Sequence, residues 1–245
     1  MSRVLILRAP GTNGDQETAH AFQLAGAKST EIVHLNRIVE KPETLHQSDI
    51  LCLPGGFSFG DDLGAGKIFA AKIQHSLYEP MQTFRDAGKL ILGIGNGFQV
   101  LLQSGLLGDP QKMTLTWNAL TQYAHCCWVR LQVNPSKCVF LQGIESMYLP
   151  IAHAEGRFTT RTSEDFSALQ QRQQLPLCYL ATENLGVGNV AGVCDDTGRV
   201  FGLMPHPERY VVPLQHPHWT RLATPLPEGD GLALFRNAVQ YTRSV

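Results

Sequence analysis

The chain has no apolar run of about 18 residues, the length a membrane-spanning helix needs, anywhere in its 245 residues. It has no excess of charge: 20 lysines and arginines face 21 aspartates and glutamates, a net charge of −1. That balance supplies no electrostatic reason to bind nucleic acid or an anionic membrane. Charged residues make up 17 %, too few for a disordered or tail-like chain. The six cysteines, Cys52, Cys126, Cys127, Cys138, Cys178 and Cys194, form no Cys-x-x-Cys pair and no zinc spacing, so no metal site is expected. The run Val4-Leu5-Ile6-Leu7 is too short for a secretory signal. These absences point to reduced thiols in a cytoplasmic protein.

What is present suits a folded enzyme or binding domain. Apolar residues make up 43 %, enough for a large core. No linker, repeat or low-complexity segment interrupts the chain, and residues 1–245 read as one domain. The first half alternates strand and helix signals. Arg3–Arg8 is a continuous β-type run, followed by a helix over Gln16–Ala25 that Gly26 stops. Strands follow at Glu31–Leu35 and Ile50–Pro54, then helices at Lys67–Tyr78 and Pro80–Ala87. Leu90–Ile94 is a strand and Asn96–Ser104 its helix. The second half is looser, with strands at Trp128–Val133 and Met147–His153. A hairpin joins Val187–Val193 to Val200–Met204, and Leu232–Thr242 is a helix. Gln170–Gln174 reads as a surface loop or helix end, and Leu214–Asp230 as an irregular crossing. The expected fold is α/β: a central, mostly parallel sheet flanked by helices, with some antiparallel strands in the second half.

One local absence outweighs the global ones. Gly93-Ile94-Gly95-Asn96-Gly97 has the form Gly-x-Nu-x-Gly, a strand-to-helix elbow that lifts a nucleophile above the sheet. The nucleophile position is Gly95, which has no side chain. The backbone N–H of Asn96 would donate to an oxyanion, and a second donor would come from the Gly55-Gly56 loop. Downstream, His206 and Glu208 are spaced so that a carboxylate can orient an imidazole, provided the segment is extended. Two bland readings stand beside this one. The glycines form a tight turn or a phosphate loop, though Phe98 breaks the dinucleotide pattern. His-Pro-Glu alone is as readily a surface ion pair or cap.

Five stretches carry a resemblance that spans nearly the whole chain. They are Pro10-Gly11-Thr12-Asn13-Gly14-Asp15, residues 53–62 (Leu-Pro-Gly-Gly-Phe-Ser-Phe-Gly-Asp-Asp), residues 93–99, residues 151–158 (Ile-Ala-His-Ala-Glu-Gly-Arg-Phe) and residues 204–209 (Met-Pro-His-Pro-Glu-Arg). The chain resembles the class I glutamine amidotransferases, whose fold is flavodoxin-like. Within them it is similar to the branch of glutaminase subunits of phosphoribosylformylglycinamidine synthase, of purine biosynthesis. The resemblance implies that an elbow cysteine attacks glutamine, forming a glutamyl thioester and releasing ammonia. It implies His206 as the base, Glu208 as its orienting carboxylate, and Gly56 and Asn96 as oxyanion donors. Gln99, His153, Gly156, Arg157 and Phe158 would hold the substrate. It also implies a large ATP-dependent synthetase subunit as partner, with a small accessory subunit, and no cofactor in the glutaminase chain itself.

Two positions depart from that pattern. Gly14 lies in an N-terminal loop where many relatives carry another residue. Gly95 replaces the nucleophile, so the chain as written is expected to hydrolyse glutamine very weakly or not at all. Loss of such a nucleophile costs about 10⁶-fold in rate. Cys52 is expected to pack in the sheet and Cys126 and Cys127 to lie away from the elbow, so none of them substitutes. Three readings follow: a glutaminase subunit that has lost its nucleophile, a non-catalytic partner that binds or regulates the synthetase, or a small-molecule module on a similar sheet.

Overall fold

The computed structural model describes residues 2–118, 125–180, 186–222 and 227–244. Aliphatic runs with no polar face become the sheet centre. β1 (Arg3–Arg8) puts Val4 and Ile6 into one core and Leu5 and Leu7 into the other, the period-two division of a strand covered on both sides. β3 (Ile50–Leu53) and β4 (Leu90–Ile94) are built alike, whereas β2 (Ser29–His34) is a half-exposed edge strand of which only Val33 is buried. Between them lie α1 (Asp15–Leu24), α2 (Leu35–Glu40), α3 (Lys67–Ser76) and α4 (Tyr78–Asp86), and α5 (Asn96–Ser104) follows. The second half adds β5 (Met113–Thr116), β6 (His125–Val133), β7 (Ser146–His153), β8 (Arg157–Thr160) and α6 (Ser163–Gln171). β9 (Leu177–Tyr179), β10 (Val190–Cys194), β11 (Val200–Leu203) and α7 (Gly231–Ser244) complete it.

Among the described residues the main sheet has nine strands in the order β2-β1-β3-β4-β11-β10-β9-β6-β7. β2, β1, β3, β4 and β11 run parallel, and every neighbouring pair from β11 to β7 is antiparallel. β5 and β8 form a separate antiparallel ribbon. The expected α/β architecture with antiparallel strands in the second half is therefore what the chain adopts. No described helix is long and apolar enough to cross a membrane.

Some boundaries differ from expectation. The strand expected from Val187 begins at Val190, because Val187–Asn189 forms a 3₁₀ turn with Gly188 at φ 64°. Gln174, expected in a surface loop or at a helix end, is buried, and its Nε2 donates to the Cys194 carbonyl at 3.2 Å. The Leu214–Asp230 stretch is irregular, with 3₁₀ turns at Pro213–Gln215 and Trp219–Arg221. Residues 223–226, which include Pro225, lie outside the described residues.

Register brings the distant motifs together. β3 pairs with β4 so that Leu53 faces Gly93, and β11 pairs with β4 so that Leu203 faces Ile94. All three strands are parallel, so the chain leaving each emerges at the same edge. Gly55-Gly56, Gly95 and His206 follow those three strands within three residues, at the carboxyl edge where open α/β sheets bind ligands.

Candidate active site

Gly95 stands between β4 and α5 with φ 53° and ψ −110°. This is the sharp turn of an elbow, and few L-residues tolerate it. Its N–H donates to the Leu203 carbonyl at 2.8 Å, tying the turn to β11. Its carbonyl accepts from Phe98 N at 3.0 Å and Gln99 N at 3.2 Å. A Cβ at this position would stand 2.9 Å from His206 Cε1 and 3.3 Å from Nε2. The imidazole therefore lies beside the place where a nucleophile would begin.

His206 and Glu208 pair, but not through an extended segment. Pro207–Arg209 is a 3₁₀ turn with His206 at its cap, and the turn folds the carboxylate back onto the ring. His206 Nδ1 and Glu208 Oε1 are 2.7 Å apart and both side chains are buried. A carboxylate only accepts, so Nδ1 carries the proton and Nε2 presents its lone pair toward position 95. Arg209 Nε lies 3.8 Å from the same Glu208 oxygen. Glu208 Oε2 is buried with no hydrogen-bond partner among the described residues.

Local geometry leaves the N–H groups of Asn96 and Gly56, the expected oxyanion donors, outside the regular hydrogen-bond pattern. Asn96 opens α5, so its N–H has no intrahelical acceptor. Gly56 forms an isolated antiparallel bridge with Thr12, closed by Phe57 N to Gly11 O (2.9 Å) and Asn13 N to Gly55 O (3.3 Å). In that pattern the bonds come from the flanking residues, and Gly56 keeps its own N–H outside the bridge. With φ 145° and Gly11, Thr12 and Asn13 packed within 2.8 Å of a Cβ, only glycine fits there. The Pro10–Asp15 loop thus serves as a buttress, and a Cβ at Gly14 would meet Glu208 Oε1 at 3.4 Å and Gly55 at 3.3 Å.

These groups open onto a cavity of about 630 Å³, lined in part by Gly56, Asn96, Gln99, His153, Glu155 and His206. A hydrogen-bond chain runs along its wall. Asn96 Nδ2 donates to Asp61 Oδ1 (3.1 Å) and to Gln99 Oε1 (3.0 Å), and Gln99 Nε2 donates to the Glu155 carbonyl (2.6 Å). Burial pushes the Asp61 carboxyl above its ordinary range, Glu155 and Asp62 add to the rise, and hydrogen bonds from Gly66 and Asn96 oppose it.

The expected substrate-holding stretch divides. His153 and Glu155 line the cavity, whereas Gly156, Arg157 and Phe158 do not. Phe158 is fully buried in the hydrophobic core, which corrects its expected placement against substrate. Arg157 pairs with Thr116 in the small ribbon, and Gly156 leaves room for the His153 ring, which a Cβ would strike at 2.0 Å. No cysteine lines the cavity. Cys52 is buried in β3, and burial, then the Glu208 charge, pushes its thiol well above the usual range.

The profile of a CobB/CobQ-like glutamine amidotransferase domain matches residues 1–242. Phosphoribosylformylglycinamidine synthase subunit PurQ of Dehalococcoides mccartyi is 44 % identical to this chain, with all of both chains covered. The chain belongs to the class I glutamine amidotransferases, in the PurQ family. The PurQ subunit of Methanococcus maripaludis strain S2 is 39 % identical, over 98 % of this chain and 97 % of that one. A chain in the structure of PurLQS from Thermotoga maritima superposes with a TM-score of 0.78 at 32 % identity, covering 98 % of this chain and 99 % of that one.

Asp61 and Glu155 are the site residues that reading the PurQ family stretches by type left without a role. Both lie inside quoted strings, but their part depends on a contact between residues about ninety positions apart, Ala65 N to Glu155 Oε1 at 3.4 Å.

Proposed function

We propose that this chain is the glutaminase-type subunit of a phosphoribosylformylglycinamidine synthase, in which Gly95 has removed the nucleophile and left its surroundings standing. Glutamine is the ligand of the cavity, and an ATP-dependent synthetase subunit is the partner that would receive ammonia. A small accessory subunit, as in the PurLQS assembly of Thermotoga maritima, fits the same reading. The observation that carries it is the elbow itself: Gly95 keeps φ 53° and ψ −110°, with His206 Nε2 3.3 Å from where a Cβ would start.

The chemistry follows from these groups. With a thiol at position 95, His206 Nε2 would take its proton, and Glu208 would hold the resulting imidazolium. The thiolate would attack the γ-carboxamide while Asn96 and Gly56 N–H groups received the negative oxygen. The imidazolium would then protonate departing ammonia. With glycine there and no nucleophile supplied from solution, His206 is left to activate water, so glutamate release is expected to be lower by about 10⁶-fold, the cost of losing such a nucleophile.

The test is glutamate release from glutamine in the presence of the synthetase subunit, for this chain and Gly95→Cys side by side. Release by Gly95→Cys alone is the expected result. Silence from both would favour a non-catalytic partner of the synthetase, and full activity in the unaltered chain would overturn the role given to position 95.

A further inference from the structure

We propose that the space beside Gly95 binds a small thiol, hydrogen sulfide above all, and that the chain then hydrolyses glutamine with sulfur supplied from solution. This rests on the reading of the cavity as a glutamine site.

Three features converge on that space. α5 is nine residues long and points its amino end there, with the Asn96 N–H free of any intrahelical acceptor, a setting that favours an anion. His206 is only 4 % exposed, its Nδ1 is taken by Glu208, and Nε2 has no hydrogen-bond partner among the described residues. Apart from the imidazole and the flanking residues Ile94 and Asn96, the nearest atom to a Cβ at position 95 is Gly55 Cα, at 3.8 Å. An unpartnered, buried base thus faces a helix amino terminus across the position whose side chain glycine omits, and because a Cβ there would stand 2.9 Å from the ring, the imidazole must swing back slightly to admit sulfur. A thiol entering there gives its proton to Nε2. The imidazolium is held by Glu208 at 2.7 Å, and the thiolate is held by the helix terminus.

The reaction closes without an oxidant or reductant. Hydrosulfide, formed as His206 takes a proton from hydrogen sulfide, adds its sulfur to the γ-carboxamide carbon of glutamine. The carbonyl oxygen becomes an oxyanion at Gly56 and Asn96. The C–N bond breaks, the imidazolium proton goes to nitrogen, and ammonia leaves behind a γ-thioacid. Water, its proton taken by His206, then adds to the same carbon. The C–S bond breaks, and glutamate and hydrogen sulfide are released, so sulfur is returned unchanged. The thioacid is the counterpart of the thioester that a cysteine would form.

The experiment measures glutamate release by the complex of this chain with the synthetase subunit, with sodium hydrosulfide, methanethiol, 2-mercaptoethanol or glutathione added. Hydrosulfide is expected to raise the rate roughly tenfold or more, a small part of the loss incurred without a nucleophile. The rise should saturate, decline through methanethiol and 2-mercaptoethanol as the thiol grows, and vanish with glutathione. Gly95→Ala, which places a methyl group against the His206 ring where the thiol would sit, should abolish it, as should His206→Ala. The saturation and the size order need no variant and stand if either substitution folds poorly. If Gly95→Cys is active and hydrosulfide has no effect, the thiol site is overturned while the glutaminase reading survives. A rise that is linear in thiol and indifferent to its size, or that persists in His206→Ala, also overturns it. If neither Gly95→Cys nor hydrosulfide gives activity, both readings fall.

Discussion

A backbone held at φ 53° and ψ −110° costs an L-residue roughly 1–3 kcal/mol, and at position 95 glycine avoids that cost. In an active relative the strain would be tolerated for the reactivity it confers. Here glycine holds the elbow geometry, so filling the position should lower stability. Gly95→Ala is expected to be less stable by about 1–3 kcal/mol from strain, and the His206 ring must also give way at 2.9 Å from the new carbon. Urea unfolding of the two chains measures this directly; equal midpoints would mean that the elbow relaxes at no cost. The neighbouring carboxylate makes a separate residue-scale prediction. In the Gly95→Cys background, Glu208→Gln keeps a side chain of the same shape against His206 Nδ1 but removes the charge that stabilises the imidazolium. The rate of glutamate release is expected to fall by about 10³- to 10⁴-fold, the scale seen when an orienting carboxylate becomes an amide. A fall of less than about tenfold, within reach of 1.4 kcal/mol, would make Glu208 a structural partner only.

At the scale of elements, the strand–elbow–helix unit was legible to the residue: Leu90–Ile94 and Asn96–Ser104 have the bounds expected from an apolar run, a glycine turn and Gly105 as stop. Such signals are local, and so is the reason for them. The ribbon strands β5 and β8 and the three-residue β9 have no comparable signature, because each is too short to show a period and exists only through its partners. Phe158 illustrates the same limit. The family resemblance implied substrate contact for it, yet β8 turns it into the core. The pairing of His206 with Glu208 could be read from spacing, although the 3₁₀ turn that achieves it could not. Seating of α5 on β3 gives the element-scale prediction. A Cβ at Gly97 would lie 1.8 Å from the Leu53 carbonyl oxygen, a backbone atom that cannot step aside without moving the strand. Gly97→Ala is expected to cost at least about 3 kcal/mol. It should also lift the amino end of α5 away from Gly56, weakening glutamine binding measured by calorimetry even where the protein still folds. Unchanged binding and stability would mean that α5 is free to slide.

Across the whole molecule, the wall of the cavity ties the parallel half of the sheet to the antiparallel half. Asp61 follows β3, Asn96 and Gln99 belong to α5, and Glu155 lies between β7 and β8. This chain of polar groups was illegible in the sequence because each member acquires its role from another part of the fold. It also leaves a pH signature. Asp61 is half-buried, and desolvation, reinforced by Glu155 and Asp62, holds its carboxyl above the ordinary aspartate range. The folded chain therefore binds this proton more tightly than the unfolded chain. As pH rises through the carboxylate range, the unfolded state ionises first, and Asp61 comes to subtract from stability; the penalty is complete above the folded pKa. As pH falls below the ordinary aspartate value, both states are protonated and the penalty is gone. Asp61→Asn removes the titration while leaving an oxygen to accept from Asn96 and Gly66, and asparagine tolerates the φ of 53° found at this position. The variant is expected to be more stable than the parent at neutral pH, with the advantage shrinking as the solution is acidified through the aspartate range. Thermal unfolding at a series of pH values would show two curves that converge at low pH. Curves that diverge there instead would mean that Asp61 is stabilised as a carboxylate, and that its hydrogen bonds outweigh its burial.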